Sequence, residues 1–276
     1  MYKLSPATVA LSALLATSLA AHAADMRMPV KAPPTPPAPV YNWTGCYLGG
    51  GGGYGIFDQE HDTIFVPPVV PPVVPKVDPA GPNVDTAGRG WFGTVQVGCD
   101  VQFGSFLPVL SGSMLFGVFA DGDWGSIRGT NEVSNTGLFG EEKLNQSWAV
   151  GGRLGWLPTD RFLTFVSAGF TDAQVQDINY TTFPAGLVTD RLPEHRMGGW
   201  FIGAGYEYNL GWLNGLTWKT EYRYADYGSQ TDTIVTVPGG VQAFTSNSHL
   251  FVQTLRSELI WRFNWGNWGS PVMSRY

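Results

Sequence analysis

The chain has 276 residues, of which 14% are charged and 14% aromatic, and its 16 basic residues face 22 acidic ones. Soluble domains carry roughly 25% charged residues, so this chain is unusually poor in charge. The net charge of −6 argues against nucleic acid as a partner, because nucleic acid favours a basic patch. The length is compatible with a single β domain.

The N-terminal residues 1–23 are predicted to be a secretory signal peptide. A short basic start (MYK, residues 1–3) precedes an apolar run over residues 9–20, and AHA at residues 21–23 supplies the small-residue cleavage pattern. The apolar run is too short to remain in a bilayer as an anchor. Residues 24–42 follow as an extended periplasmic arm, since residues 29–39 read PVKAPPTPPAP and cannot form a packed core.

From Trp43 onward, apolar and polar residues alternate with a period of two, which is typical of β-strands. About eight such segments lie near residues 43–56, 90–103, 113–126, 146–157, 161–173, 198–210, 215–227 and 249–263. The seventh, for example, sets Trp218 and Tyr222 against Lys219, Glu221 and Arg223. No apolar run after the signal peptide approaches twenty residues. A closed β-barrel is therefore the remaining way to cross a membrane. Lipid offers no hydrogen-bond partners, so every backbone N–H and C=O group in the membrane must be paired within the protein.

The connections between these segments alternate in length. Residues 57–89, 127–145, 174–197 and 228–248 are long connections, whereas 104–112, 158–160 and 211–214 are short. Tryptophans near the segment ends suggest aromatic girdles at the two membrane surfaces: Trp43, Trp91, Trp124, Trp156, Trp200, Trp218 and Trp261. The pattern predicts an all-β, up-and-down, antiparallel transmembrane barrel of eight strands over residues 43–263, with short periplasmic turns and four long extracellular loops. A soluble barrel such as a lipocalin, with its apolar face inward, is the alternative.

Several motifs, in this order, resemble those of the small Gram-negative outer-membrane immunogenic proteins, which are porin-like and related to the opacity-type barrels. They are AAD at the cleavage region, YNWTGCYLGGGGGYG, FGVFADGDW, GWFIGAGYEY, WKTEYRYADYG and a last strand ending in LIWRF. The resemblance implies an eight-stranded barrel that stabilises the cell envelope and displays surface loops. Two features depart from the family pattern. Residues 264–276 follow the last strand as a tail or a strand extension, and the first loop carries a Pro-rich insertion.

Charged residues fall on one face of the strands, which would be the barrel lumen. The predicted lumen set is Asp100, Asp121, Asp123, Arg153, Glu207, Lys219, Glu221, Arg223, Arg256, Glu258 and Arg262. An eight-stranded barrel is only just wide enough for its own side chains, and unpaired buried ions are costly. The set therefore predicts a salt-bridged plug, with a narrow or gated polar pore as the alternative.

The two cysteines, Cys46 and Cys99, lie on the first two strands. Their midpoint coincides with the centre of the connecting loop, so hairpin pairing would bring them level on the lipid face. The sequence predicts a cross-strand disulfide, against the alternative of two reduced, small apolar residues.

The glycine run at residues 49–53 also matches the dinucleotide pattern G-x-G-x-x-G at residues 50–55. No βαβ unit surrounds it, so it is interpreted as a strand. Inward glycines would leave room for neighbouring side chains, and the arginines of the last strand are the expected neighbours.

Three histidines, His61, His195 and His249, lie in or beside different long loops. If those loops converge, they could bind a metal or haem, although loop histidines are usually solvated. No spacing unites a nucleophile with a base, so we expect no catalytic site, no cofactor and no enzymatic activity. The expected partners are outer-membrane lipid, lipopolysaccharide, the barrel-insertion machinery and host or environmental ligands at the loops.

Overall fold

The computed structural model describes residues 41–65, 78–79, 84–104, 112–133, 138–182 and 186–263. None of these residues belongs to a helix long and apolar enough to cross a membrane. The described residues form strands β1 (Gly45–Phe65), β2 (Asp78–Pro79), β3 (Val84–Gly104), β4 (Ser113–Val133), β5 (Leu138–Thr159), β6 (Phe162–Val175), β7 (Ile178–Thr182), β8 (Val188–Leu192), β9 (His195–Asn209), β10 (Leu216–Thr236) and β11 (Gln242–Phe263).

Eight of these strands close into a barrel. Their order is β11-β1-β3-β4-β5-β6-β9-β10, and β10 pairs again with β11. All the pairings around the barrel are antiparallel. Closure leaves none of these eight strands as an edge of the sheet, which is the condition for crossing lipid with strands. The predicted eight-stranded, up-and-down barrel is confirmed.

The two faces of each strand divide as the alternation predicts. On β3, Val95, Val97 and Val101 are about half exposed on the outer surface, while Gln96 and Asp100 between them are buried inside. Side chains alternate across a strand, so one face meets lipid and the other fills the lumen. The soluble alternative is wrong, because the apolar set points outward.

Two aromatic belts mark the membrane surfaces. The extracellular belt contains Trp91, Trp124, Trp148, Phe170 and Trp200, and the periplasmic belt contains Tyr206, Tyr208, Trp218, Trp261 and Phe263, all of them exposed on the outer surface. Amphipathic rings favour the headgroup level of a bilayer. Trp43 is an exception to the prediction, because it is fully buried and its Nε1 donates a hydrogen bond to the carbonyl oxygen of Asp160.

The strands run further than predicted on the extracellular side. β1 continues to Phe65 and β3 begins at Val84, so much of the expected first long loop is strand. The predicted long connection at residues 174–197 contains a further hairpin, formed by β7 and β8. The β7–β8 hairpin pairs β7 with β5 and β8 with β10, and thereby continues the barrel wall beyond the ends of β6 and β9. The described extracellular residues therefore lie largely in an extension of the barrel wall.

The glycines of β1 leave room for apolar side chains and backbone. A Cβ on Gly53 would lie 2.4 Å from a ring carbon of Phe92, and one on Gly49 would lie 2.2 Å from Cδ1 of Ile260. A Cβ on Gly51 would meet the backbone of β11. The predicted neighbours, the arginines of the last strand, are not the closest atoms at these positions. The side chains of Phe92 and Ile260 fill the space that side chains at Gly53 and Gly49 would otherwise occupy.

The predicted signal peptide, nearly all of the Pro-rich arm, the Pro-rich insertion and the tail at residues 264–276 lie outside the described residues.

Candidate functional site: the charged barrel interior

All eleven residues of the predicted lumen set are buried inside the barrel. Their strands contribute between one and three charged residues each, at successive heights in the barrel. They fall into three groups, here called the periplasmic, middle and extracellular layers, and each layer mixes acids with bases.

The periplasmic layer consists of Asp100, Arg153, Glu207 and Arg262. Arg153 donates from Nε and Nη2 to the two oxygens of Asp100, at 2.9 and 2.5 Å, and from Nη1 to Glu207 Oε2 at 3.1 Å. Arg262 donates from Nη2 to Glu207 Oε1 at 2.8 Å and from Nη1 to Asp100 Oδ2 at 2.5 Å. Each carboxylate thus contacts both guanidinium groups, and the layer is neutral.

The middle layer consists of Lys219, Glu221 and Glu258. Lys219 Nζ lies 2.9 Å from Glu221 Oε2 and 3.5 Å from Glu258 Oε1, and it donates to Gln96 Oε1 at 2.8 Å. Ser167 Oγ donates to Glu221 at 2.6 Å. With two acids and one base, this layer carries a formal charge of −1.

The extracellular layer consists of Asp121, Asp123, Arg223 and Arg256. Arg223 holds both oxygens of Asp121 at 2.9 and 3.1 Å, and Arg256 bridges Asp121 Oδ1 at 3.2 Å and Asp123 Oδ2 at 3.1 Å. Bidentate pairs of this kind combine charge with fixed geometry. They join β4 to β10 and β11 across the lumen.

Inward aromatic residues, which the sequence analysis did not single out, contact the cations. The guanidinium carbon of Arg223 lies 4.2 Å from the Phe201 ring centroid, and that of Arg153 lies 4.7 Å from the Tyr47 centroid. Arginine over an aromatic face adds an attractive contact in a dry site. Phe201 falls on the same strand face as Glu207, so the alternation alone was enough to place it in the lumen.

Some polar atoms near the layers lack partners. Asp123 Oδ1 and Glu258 Oε2 are buried and accept no hydrogen bond from the described residues. A cavity of about 30 Å³ lies beside Asp123 and is also lined by Ser147, Tyr227 and Thr254. A space of this size admits one or two water molecules. The arrangement can hold charge and water.

The two cysteines are bonded. Cys46 and Cys99 are direct partners in the β1–β3 register and form a disulfide with Cα atoms 3.9 Å apart. Both side chains point outward with the apolar face, as the alternation predicts. The bond joins the periplasmic ends of the first two strands of the barrel.

The three histidines do not come together. His61, on β1, is buried in the barrel interior, where its Nε2 lies 3.0 Å from Asn131 Nδ2 and 3.5 Å from Glu142 Oε2. His249 is on β11, where Nε2 lies 2.9 Å from Asp226 Oδ1, and His195 Nε2 lies 3.5 Å from Asp232. Among the described residues, no group of three or more His, Cys, Asp or Glu side chains could hold a metal ion.

A second buried polar group lies in the extracellular part of the barrel and was missed from sequence. Glu142 is fully buried beside His61. In the amide orientation that gives both polar atoms of Gln59 a partner, the side-chain nitrogen donates to Glu142 and the side-chain oxygen accepts from Ser248 Oγ. Nearby, burial raises the pKa of Tyr180, and the carboxylates of Glu142 and Asp190 raise it further. Beyond Phe57 both faces of β1 are polar, so the alternation of apolar and polar residues gave no signal for this group.

Residues 10–249 match a protein family described as the outer membrane protein beta-barrel domain. The chain belongs to this family. Its outer-membrane location follows, and the resemblance found in the sequence motifs is confirmed. The 31 kDa outer-membrane immunogenic proteins of Brucella melitensis biotype 1 and Brucella suis biovar 1 are each 27% identical to this barrel over 233 residues. The match covers 80% of this chain and 85% of theirs.

Solved structures similar to this barrel share little sequence with it. The outer membrane protein OprG from Pseudomonas aeruginosa gives a TM-score of 0.46 at 10% identity, covering 81% of this chain and 99% of OprG. Neisserial surface protein A gives 0.35 at 10% identity, covering 77% and 99%. The Ail protein of Yersinia pestis gives 0.28 at 10% identity, covering 77% and 99%.

Proposed function

We propose that this barrel is a structural component of the outer membrane that displays its extracellular part at the cell surface while its lumen stays closed to solutes. The observation that carries the proposal is the stack of three ion-paired layers in the lumen. Every charged side chain in them is buried, and the periplasmic layer is almost completely inaccessible.

Opening a path through the periplasmic layer would separate its ion pairs. Asp100 is held by both Arg153 and Arg262, so moving either arginine leaves an uncompensated charge in a narrow, dry space. Removing one partner from a buried ion pair costs about 3–5 kcal/mol of stability. A barrel of eight strands also has no spare width through which solutes could bypass the layer. The closed state is therefore strongly favoured.

Surface display is supported by the length of the strands. β1 and β3 continue well past the extracellular belt, and the β7–β8 hairpin adds wall on the opposite side. The similar Brucella proteins are named immunogenic, and by analogy we propose that this exposed wall is antigenic. Antibodies raised against the folded barrel should bind intact cells as well as permeabilised cells. Binding only after permeabilisation would contradict display.

Closure is tested by solute flux into liposomes that contain the purified, folded protein. We expect small sugars to enter no faster than into protein-free liposomes, while a general porin reconstituted in parallel gives rapid entry. Size-dependent entry of sugars through the wild-type barrel would overturn the proposal. Heat-modifiable migration on gels identifies the folded fraction in each preparation.

A narrow cation-selective pore is the second candidate. Three observations favour it: the middle layer has an excess negative charge, Asp123 Oδ1 lacks a partner, and a cavity lies beside it. A hydrated path along these atoms would pass small cations and exclude sugars. Ion conductance therefore distinguishes this candidate from a closed barrel.

A further inference from the structure

Three cations stand side by side on the outer surface of β3, β4 and β5. The strand registers place Arg89 opposite Arg128, and Arg128 opposite Lys143. Arg89 and Arg128 are exposed, and Lys143 is partly exposed. Directly opposite side chains on one sheet face have Cβ atoms roughly 4.5–5.5 Å apart. We call these three residues the cationic row.

The positive charge of this row is only partly compensated. Arg128 donates to Ser126 Oγ at 2.6 Å and to Glu141 Oε1 at 3.1 Å. Within the described ranges, Arg89 and Lys143 form no side-chain ion pair or hydrogen bond. Like charges directly opposite each other destabilise a sheet, so the row gains from an anion that contacts several of its members.

Other outward arginines on the extracellular side differ in this respect. Arg191 lies 3.0 Å from Asp177, and Arg196 lies 2.7 Å from Asp172. Each of these is satisfied by an acid of the barrel itself. Uncompensated positive charge is thus concentrated on the wall formed by β3, β4 and β5.

The height of the row is also informative. Arg89 follows two residues beyond Trp91 in the extracellular direction, and Arg128 follows four residues beyond Trp124. Aromatic belts mark the headgroup level of the bilayer. Further out on the same strands stand the acids Asp85 and Glu132. Positive charge is therefore confined to the level just above the apolar surface, where the phosphates of an outer-leaflet lipid would lie.

We propose that the cationic row binds the phosphate groups of the phosphorylated glycolipid of the outer leaflet, the lipid A part of lipopolysaccharide. Guanidinium groups match phosphate oxygens with two parallel hydrogen bonds, and Lys143 adds a point charge. The acyl chains would lie along the apolar surface below, beside Trp91 and Trp124. This proposal rests on the outer-membrane location of the family and is independent of whether the lumen conducts.

The test uses the purified full-length barrel in neutral detergent, with bisphosphorylated lipid A, dephosphorylated lipid A and inorganic phosphate as probes. Native mass spectrometry counts bound lipid. We expect the wild-type barrel to bind bisphosphorylated lipid A more tightly than dephosphorylated lipid A. The variant Arg89→Gln/Lys143→Gln should lose about five-fold in affinity per cation removed, about 25-fold in all. Raising the salt concentration should weaken the wild-type complex.

The matched control is Arg191→Gln/Arg196→Gln, which removes two outward cations from the same end of the barrel. It should bind lipid A as wild type does. Three outcomes would each overturn the proposal. The control variant could lose as much affinity for lipid A as Arg89→Gln/Lys143→Gln does, or wild type could bind dephosphorylated lipid A as tightly as the bisphosphorylated form. The third is that inorganic phosphate displaces lipid A when present at the same concentration. Heat-modifiable migration shows that each variant is folded, and Arg89→Gln alone serves if the double variant does not fold.

Discussion

The periplasmic layer allows a sharp test of the claim that ion pairs hold the lumen together. The perturbation is Arg262→Met, which keeps an unbranched side chain and removes the charge. Arg262 donates to both oxygens of Glu207, to Asp100 and to the carbonyl oxygen of Trp43. Without it, the layer has two carboxylates facing Arg153 alone.

The expected magnitude follows from this arithmetic of charges. Leaving one buried carboxylate uncompensated costs about 3–5 kcal/mol. The double variant Arg262→Met/Glu207→Gln restores neutrality, because Arg153 and Asp100 keep their bidentate pair and the new amide can still accept from Thr217 Oγ1. We expect the double variant to lie within about 1–2 kcal/mol of wild type. Glu207→Gln alone leaves one buried arginine uncompensated and should also cost about 3–5 kcal/mol. The two single costs therefore exceed the cost of the double variant by about 4 kcal/mol or more, which is the expected coupling energy.

The assay is reversible urea unfolding of the barrel in lipid vesicles, followed by tryptophan fluorescence. The control is Arg196→Met, which breaks an exposed pair with Asp172 and should cost less than about 1 kcal/mol. Additive effects of the two lumen substitutions, or a loss below about 1 kcal/mol for Arg262→Met, would refute the reasoning that the layer acts as one neutral unit.

Three further predictions concern the wall and the extracellular part. Cys46→Ser should lower the free energy of unfolding by up to about 4 kcal/mol, which is the loop-closure contribution expected for a separation of 53 residues. Urea titrations with and without reductant measure this loss. Reductant should destabilise the wild-type barrel and leave the variant unchanged. Gly53→Ala should cost about 1–3 kcal/mol, because its Cβ would lie 2.4 Å from a ring carbon and 2.6 Å from a backbone oxygen. Gly50→Ala, with its nearest neighbour at 3.7 Å, should be nearly neutral in the same titration. Because the pKa of Tyr180 is raised in the folded state, its stabilisation is complete below the unfolded value of about 10 and is lost as the pH rises through the folded value. Above about pH 10, wild type should therefore lose stability relative to Tyr180→Phe, and parallel pH profiles for the two proteins would contradict this.

The features that the sequence predicted well depend on one physical rule, the alternation of side chains across a strand. Because Lys219, Glu221 and Arg223 alternate with aromatic residues, their common face could be identified without a structure. The same rule, with the centre of the connecting loop, brought Cys46 and Cys99 level. These inferences need only local spacing and a closed barrel.

Features that depend on relative height around the barrel could not be predicted. Arg262 and Asp100 are 162 positions apart in sequence, and their contact depends on the stagger of strands that are paired only through β1. The ends of the strands were also missed, because the outer face becomes polar beyond the extracellular belt. The contrast that reveals alternation then disappears, as it does on β1 after Phe57. Burial of Trp43 follows from a contact with the distant turn at Asp160, which local spacing does not indicate.

The central claim is that ion pairs close the lumen of a stable outer-membrane barrel. Its most direct test is single-channel recording from the purified, heat-modifiable protein in planar bilayers at several salt concentrations. A closed barrel predicts no discrete current steps in wild type over the voltage range in which a parallel porin opens. Reproducible, cation-selective steps from the folded wild-type protein would contradict closure and favour the narrow pore.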